Sequence, residues 1–261
     1  MHHTRRKLIV GNWKMHLNVA QSSLLVHRLN SQIKAHHDIE VVLAPSMLAL
    51  QPLSLEIDRR KFRLALQDAH PADEGAFTGE VSFTMARGLV HYGIVGHSAR
   101  RIYFNESLEL IRDKVAAAVR NGITPILCIG ETKEERRNGE TRKVIHDQLT
   151  TALQNLTAEE VAAMVIAYEP VWAISTFDGE VAKPHVIQAE LNHLREQVAH
   201  LYGDHVGRTV RVLYGGSVDE FDARSYLELE GCDGVLVGAA SLNYHKFTGI
   251  VDSVYRMIHS D

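Results

Sequence analysis

The chain has 261 residues, of which 45% are hydrophobic and 23% are charged, and its net charge is −4. This composition is typical of a globular protein with a large core, and the charge gives no reason to expect binding to nucleic acid or to an anionic membrane. No apolar stretch reaches the roughly 18 residues of a membrane-spanning helix, and the first residues lack the pattern of a signal peptide. The two cysteines are isolated within apolar runs, which predicts reduced thiols and a cytoplasmic location. The histidines show no zinc-ligand spacing, so no metal site is expected.

Short apolar runs recur along the whole chain, and helical patterns lie between them. Runs of this length that are nearly continuous in apolar residues are typical of parallel strands buried on both faces. The predicted strands are 7–13, 39–44, 62–68, 92–97, 123–130, 164–169, 209–215 and 232–238.

Two of the intervening segments carry especially clear helix signals. Residues 106–122 alternate apolar and charged side chains at a spacing of three to four and end in Asn-Gly, and residues 184–203 begin with Pro and end with Gly. Eight strand–helix units predict a closed (β/α)₈ barrel that forms a single catalytic domain over residues 1–261. A doubly wound open sheet is the alternative, but it rarely needs eight strands of such even spacing.

Polar side chains stand where several of the predicted strands end, which is the rim that carries the chemistry in such a barrel. Asn12 and Lys14 stand at the end of the first run, His97 at the end of the fourth and Glu169 at the end of the sixth. Glu169 is either an ordinary rim carboxylate or a base that takes a proton from a carbon beside a carbonyl. His97 is either a locally bonded histidine or a neutral imidazole that polarises that carbonyl. Lys14 is either a solvated charge or, since a cation after a buried strand is costly without an anion, the partner of a substrate phosphate.

Three glycine-containing turns have two interpretations each. Residues 214–218 and 236–242 lie at the ends of the last two strands, where barrels commonly bind phosphate with backbone N–H groups. The alternative is that their glycines only allow tight turns. The polar loop 73–82 has Phe77 and Thr78 at its tip. It is either a plain surface loop or a loop that docks into a partner subunit.

Seven motifs in family order and at family spacing identify a resemblance over the whole chain to triosephosphate isomerases. They are "GNWKM" (11–15), "GAFTGEVS" (75–82), "VGHSARR" (95–101), "CIGE" (128–131), "AYEPVWAI" (167–174), "YGGSV" (214–218) and "VGAASL" (237–242). The resemblance implies an aldose–ketose isomerase that interconverts dihydroxyacetone phosphate and D-glyceraldehyde 3-phosphate through a cis-enediolate, in glycolysis and gluconeogenesis.

The same resemblance implies roles for the rim residues. Glu169 is the base, His97 the electrophile, Lys14 supplies positive charge and Asn12 orients bound oxygens. A lid segment begins at Pro170 and includes Trp172. Tyr214 and Ser217 act as the latch that holds it closed. The substrate phosphate lies among backbone N–H groups, which are those of Ser175, Ser217, Gly238 and Ala239. Phe77 and Thr78 form the loop through which a homodimer assembles. No cofactor or metal is implied, and the partner molecule is a small triose phosphate.

The chain departs from the family pattern at two places. Ala99 stands where the fourth-strand motif usually has Glu, which removes a charge partner of Lys14. The lid sequence over 175–183 lacks the usual glycines and is two residues longer. Because the lid is altered, a related isomerase for a tetrulose phosphate is an alternative function. Because of Ala99, a catalytically impaired barrel that only binds phosphate is another.

Overall fold

Eight parallel strands close into a barrel in the order β1 to β8, so the fold prediction is confirmed and the open sheet is not formed. The structure is a computed structural model that describes residues 5–174 and 181–259. The strands are β1 (Lys7–Asn12), β2 (Ile39–Ala44), β3 (Phe62–Leu66), β4 (Tyr92–Val95), β5 (Thr124–Ile129), β6 (Val165–Tyr168), β7 (Arg211–Tyr214) and β8 (Gly234–Val237). Each lies within one of the predicted runs.

Helices surround the barrel. They are α1 (Val19–Gln32), α2 (Met47–Glu56), α3 (Ser98–Tyr103), α4 (Leu108–Arg120), α5 (Lys133–Arg137), α6 (Thr141–Ala152), α7 (Ala158–Ala163), α8 (Pro184–Tyr202), α9 (Asp204–Thr209), α10 (Ala223–Leu227) and α11 (Tyr244–His259). Within the described ranges, no helix has the length and apolar character that crossing a membrane requires.

Local sequence explains where the two predicted helices begin and end. The hydroxyl of Ser107 accepts the backbone N–H of Leu110 and so caps α4, which ends at Asn121 before Gly122 turns the chain with φ +68°. Helix α8 starts with Pro184 at its first position, where the missing N–H costs nothing.

The connection from β3 to β4 differs from the helical segment that the repeating pattern predicts. In the described residues it contains only a short 3₁₀ helix, Thr84–Ala86. Gly75, Gly79 and Gly88 all adopt positive φ here, a conformation that no helix accommodates, so the segment is a protruding loop.

Side chains of each strand alternate between two apolar layers. Leu8 and Val10 point to the inside of the barrel, where they pack with buried residues such as Ile94 and Leu213, whereas Ile9 joins the layer between strands and helices. Because the barrel interior is filled, the only polar opening that these strands can build is at their ends. The carboxyl-terminal ends all face one rim.

Candidate active site

The carboxyl-terminal rim contains a small cleft with a volume of about 70 Å³. It brings together most of the predicted site residues, although they come from opposite ends of the chain. The cleft is lined by Asn12, Lys14, His97, Glu169, Ile174, Gly215, Gly216, Ser217, Val218, Leu236, Gly238, Ala239 and Ala240. Ser175, the remaining predicted phosphate ligand, lies outside the described residues.

Glu169 is buried and makes two short hydrogen bonds with the end of β4. Its Oε1 accepts Nε2–H of His97 at 2.8 Å, and its Oε2 accepts the backbone N–H of Ser98 at 2.9 Å. Gly130 permits this position, because a Cβ there would lie 2.1 Å from the carbonyl oxygen of Glu169. The end of β5 therefore has to be glycine for the chain to place this carboxylate.

The tautomer of His97 follows from its second nitrogen. The backbone N–H of Ala99, in the first turn of α3, donates to Nδ1 of His97 at 3.1 Å. A ring nitrogen that accepts a hydrogen bond carries no proton, so the imidazole is neutral and its proton is on Nε2, facing Glu169. The donor is a backbone group, so the Ala99 side chain does not affect this arrangement.

The pKa of Glu169 is lowered although the group is buried. Burial by itself raises the pKa of a carboxyl, but the hydrogen bonds from His97 and from the N–H of Ser98, together with the charge of Lys14, outweigh it. The carboxylate is therefore held in the ionised form that a base needs.

Lys14 has an unusual backbone conformation for a side-chain-bearing residue, with φ +51°. Its N–H donates to Oδ1 of Asn12 at 3.0 Å, and its carbonyl accepts Nε2–H of Gln67 at 2.8 Å. Burial lowers the pKa of the Lys14 ammonium, and the charge of Glu169 partly opposes that shift. Asn12 and Gln67 thus hold a partly desolvated cation at the cleft.

Helix α3, which carries Ser98 and Ala99 at its start, is anchored by a buried ionic cluster. Arg100 pairs with Asp68 at 2.8 Å and with Glu106, and Lys114 pairs with Asp68 at 2.7 Å and also with Glu106. Burial raises the pKa of Asp68, and the charge of Lys114 opposes the shift. Two cations thus face two carboxylates, which keeps the helix start in place behind His97.

The turns after β7 and β8 lie at the other end of the cleft. The backbone N–H of Ser217, a predicted phosphate ligand, donates to the carbonyl of Ala173 at 3.0 Å. The Ser217 hydroxyl is buried and has no hydrogen-bond partner among residues 5–174 and 181–259. Gly238 precedes the 3₁₀ helix Ala239–Leu242, which begins at the cleft wall.

The segment that leaves Glu169 is tied to a buried carboxylate whose role the sequence did not predict. Pro170 precedes the 3₁₀ helix Val171–Ala173. The indole N–H of Trp172 donates to Oε1 of Glu131 at 2.9 Å, and the Tyr168 hydroxyl donates to Oε2 at 3.1 Å. Arg136 pairs with the same carboxylate and lies 4.4 Å from the centre of the Trp172 ring. The available signal was the position of Glu131 at the end of the "CIGE" motif.

Tyr214, the predicted latch, is fully buried. Its ring stacks on that of Tyr226 with 4.2 Å between centroids. Burial and the neighbouring Tyr226 raise the pKa of Tyr214. Sequence reasoning did not single out Tyr226.

Phe77 and Thr78 lie on the loop after β3 and do not line the cleft. Thr78 is exposed, and Phe77 is 48% exposed with its ring 4.0 Å from that of His70. Met15 and Met85 are also exposed, at 95% and 66%. The described surface thus presents apolar side chains both on this loop and after β1.

Comparisons with known proteins agree on one family. The family model described as triosephosphate isomerase matches residues 7–254. The triosephosphate isomerase of Carboxydothermus hydrogenoformans is 40% identical over 248 residues, which cover 95% of this chain and 98% of the relative. Those of Alkaliphilus metalliredigens and Clostridium perfringens are each 39% identical over 249 residues, which cover 95% of this chain and 99% of the relative. The chain therefore belongs to the triosephosphate isomerase family of aldose–ketose isomerases.

Proposed function

We propose that the protein interconverts dihydroxyacetone phosphate and D-glyceraldehyde 3-phosphate through a cis-enediolate. The observation that carries the proposal is the pairing of an ionised, buried Glu169 with the Nε2–H of a neutral His97 at 2.8 Å in one cleft. A base and an electrophile at this spacing suit the removal of a proton from a carbon next to a carbonyl. The names of the relatives support the choice of a triose phosphate.

In the proposed reaction, Glu169 takes a proton from one carbon and returns it to the adjacent carbon. The electron pair left behind forms the carbon–carbon double bond of the enediolate, and the former carbonyl oxygen becomes negative. His97 Nε2–H donates to that oxygen, and the Lys14 ammonium stabilises the same charge. The proton of the neighbouring hydroxyl moves to that oxygen, so the hydroxyl oxygen becomes the carbonyl oxygen of the product when the adjacent carbon takes up its proton. Asn12 orients the bound oxygens. The substrate supplies and receives the proton, so we expect no cofactor and no metal.

The phosphate is proposed to lie against the turns after β7 and β8. Ser217 offers a buried hydroxyl that none of the described residues hydrogen-bonds, and an anion there would satisfy it. Gly238 and Ala239 would contribute backbone N–H groups, as would Ser175. Pro170, Trp172 and Tyr214 would belong to a lid that excludes water, because a hydrated enediolate loses phosphate.

We further propose a cytoplasmic homodimer that acts in glycolysis and gluconeogenesis. The exposed apolar side chains of Met15, Phe77 and Met85 support a subunit contact that includes the loop tip with Thr78.

The test is a coupled assay that compares glyceraldehyde 3-phosphate with a tetrose phosphate. We expect turnover of the triose phosphate by the wild type and a loss of about 10²- to 10⁴-fold in Glu169→Gln. Glu190→Gln is the matched control, since Glu190 is a partly buried carboxylate on α8 outside the cleft, and it should keep full activity. Preference for the tetrose phosphate would favour the related isomerase. Phosphate binding without turnover would favour the impaired barrel that Ala99 suggests.

A further inference from the structure

Tyr226, on α10, contacts both a residue just before the start of α8 and the end of β7. Its hydroxyl donates to the carbonyl oxygen of Ala182 at 2.8 Å, and both partners are buried. Its ring stacks on that of Tyr214 at 4.2 Å with an angle of 26° between the planes. One side chain thus contacts the chain just before α8 and the last residue of β7.

The hydrogen bond to Ala182 fixes a residue that the backbone hydrogen bonds of helix α8 do not include. Ala182 precedes Lys183, the N-terminal cap of α8, so its carbonyl lies outside the helical hydrogen-bond ladder. Val181 and Lys183 are exposed on either side, whereas Ala182 is 1% exposed. A buried carbonyl without a partner is costly, so the Tyr226 hydroxyl stabilises the burial of Ala182.

The stacked ring of Tyr214 extends this connection to the cleft. A Cβ on Gly216 would lie 2.1 Å from the Tyr214 hydroxyl oxygen, so that hydroxyl lies directly against the Gly216 backbone. Gly216 and Ser217 line the cleft. Displacement of the Tyr226 ring would therefore change the position of Tyr214 and of the turn proposed to bind phosphate.

We propose that Tyr226 is a positioning residue that fixes Ala182, just before α8, and Tyr214, beneath the phosphate end of the cleft. This inference rests on the proposed isomerase function. Its consequence for the reaction is protection of the enediolate from water and from loss of phosphate.

The enediolate can react in two ways, by isomerisation or by elimination. The ratio of elimination to isomerisation reports how well the cleft protects the enediolate. In isomerisation, the carbon regains the proton that Glu169 holds. In elimination, the enediolate electron pair forms a new carbon–carbon double bond, the bond from carbon to the phosphate oxygen breaks, and inorganic phosphate leaves. The remaining enol takes up a proton on carbon and becomes methylglyoxal. A change that merely lowers stability does not alter this ratio for the folded enzyme.

The experiment compares Tyr226→Phe with Tyr202→Phe. The control loses an equivalent bond, because the Tyr202 hydroxyl donates to the carbonyl of Leu153 at 2.6 Å on another part of the surface. For Tyr226→Phe we expect kcat/KM to fall by about two- to tenfold, as the loss of one neutral hydrogen bond allows, and the phosphate released per isomerisation to rise several-fold. Tyr202→Phe should leave both unchanged.

Hydrogen exchange tests the anchor independently of activity. The amides of Val186 and Ile187 donate to the carbonyl of Lys183, next to Ala182. We expect both to exchange faster in Tyr226→Phe and at the wild-type rate in Tyr202→Phe. Unchanged exchange, or an unchanged elimination ratio in Tyr226→Phe, would overturn the role of Tyr226. A wild type without isomerase activity would instead refute the proposed function, and the exchange rates would still decide whether Tyr226 anchors Ala182.

Discussion

Oε1 of Glu169 lies 2.8 Å from Nε2 of His97, so the two groups of the proposed reaction share one hydrogen bond. The Nε2 proton is the one that His97 would offer to a substrate carbonyl. A substrate therefore has to take over this bond before Glu169 and His97 can act on it. The second bond of the carboxylate, from Ser98 N–H, has to be exchanged in the same step if Glu169 is to approach a carbon.

The lowered pKa of Glu169 predicts how this residue affects stability against pH. The folded pKa lies below the ordinary value of 4.5, so the ionised carboxylate contributes stability that is fully present above 4.5. As pH falls from there to the folded pKa, the unfolded chain binds a proton and the folded protein does not. The contribution is therefore lost in this window and stays constant below it.

Denaturant unfolding of the wild type and Glu169→Gln at a series of pH values measures the effect. The free energy of unfolding of the wild type minus that of Glu169→Gln should be constant from pH 8 to about 5. Below that pH it should decrease, because the wild type loses stability. A difference that moves in favour of the wild type as pH falls towards 4.5 would mean that burial dominates and that the pKa is raised.

We expect the substitution Ala99→Glu to increase activity. Burial lowers the pKa of the Lys14 ammonium, and Glu169 is the carboxylate that counteracts it. By the family resemblance, a glutamate at position 99 would add a second negative charge near Lys14. We expect kcat of Ala99→Glu to rise about fivefold, which corresponds to about 1 kcal/mol of better charge placement.

Ala99→Gln has nearly the same size without the charge and should behave like the wild type. The bond from the Ala99 backbone to His97 survives in both variants. An equal or lower kcat for Ala99→Glu would show that a second carboxylate near Lys14 does not improve turnover.

Glu131 predicts a stability effect near the start of the proposed lid. Its fully buried carboxylate accepts from Tyr168 and Trp172 and pairs with Arg136. In Glu131→Gln, the amide can accept with one oxygen only, and the positive charge of Arg136 loses its partner. We expect the free energy of unfolding to fall by about 2–4 kcal/mol, measured by urea denaturation.

Tyr168→Phe serves as the control for Glu131→Gln, because it removes one donor while the carboxylate keeps its other partners. Its cost should be about 1 kcal/mol. Equal costs for the two variants would show that the charge of Glu131 is unimportant and that any hydrogen-bonding side chain serves at this position.

The sequence predicted the barrel because each strand is buried on both faces and therefore reads as a nearly continuous apolar run. It also predicted which residues share the cleft, since parallel strands bring their carboxyl ends to one rim. Asn12 and Glu169 illustrate this, because they are 157 positions apart in the sequence yet line the same cleft.

Hydrogen-bond partners were beyond sequence reasoning because they depend on rotamers and on packing between distant segments. The N–H of Ser217 donates to Ala173, although the glycine-rich turn alone suggests that it faces a ligand. The bonds of Glu131 and Tyr226 are of the same kind: a residue type at a strand or helix end does not tell which buried group it will satisfy.

The proposed homodimer makes the last prediction. Phe77 is half exposed at the tip of the loop after β3, and the exposed side chains of Met15 and Met85 are also apolar. Burial of these groups in a subunit contact would stabilise a dimer. A carboxylate placed among them would be buried without a partner, at a cost of several kcal/mol. Sedimentation should therefore give twice the 29.2 kDa chain mass for the wild type and the single mass for Phe77→Asp.

Phe221→Asp is the matched control for this experiment, because Phe221 is a phenylalanine that is 86% exposed on the turn before α10, away from the loop after β3. It should sediment as the wild type does, which separates a specific contact from a general effect of removing surface apolar area. The resemblance places Thr78 beside the partner's site, so Phe77→Asp should also lose activity in proportion to the monomer fraction. Phe77→Asp that remains dimeric would mean that the subunits associate through another surface, and a monomeric but fully active Phe77→Asp would mean that each site is complete within one chain.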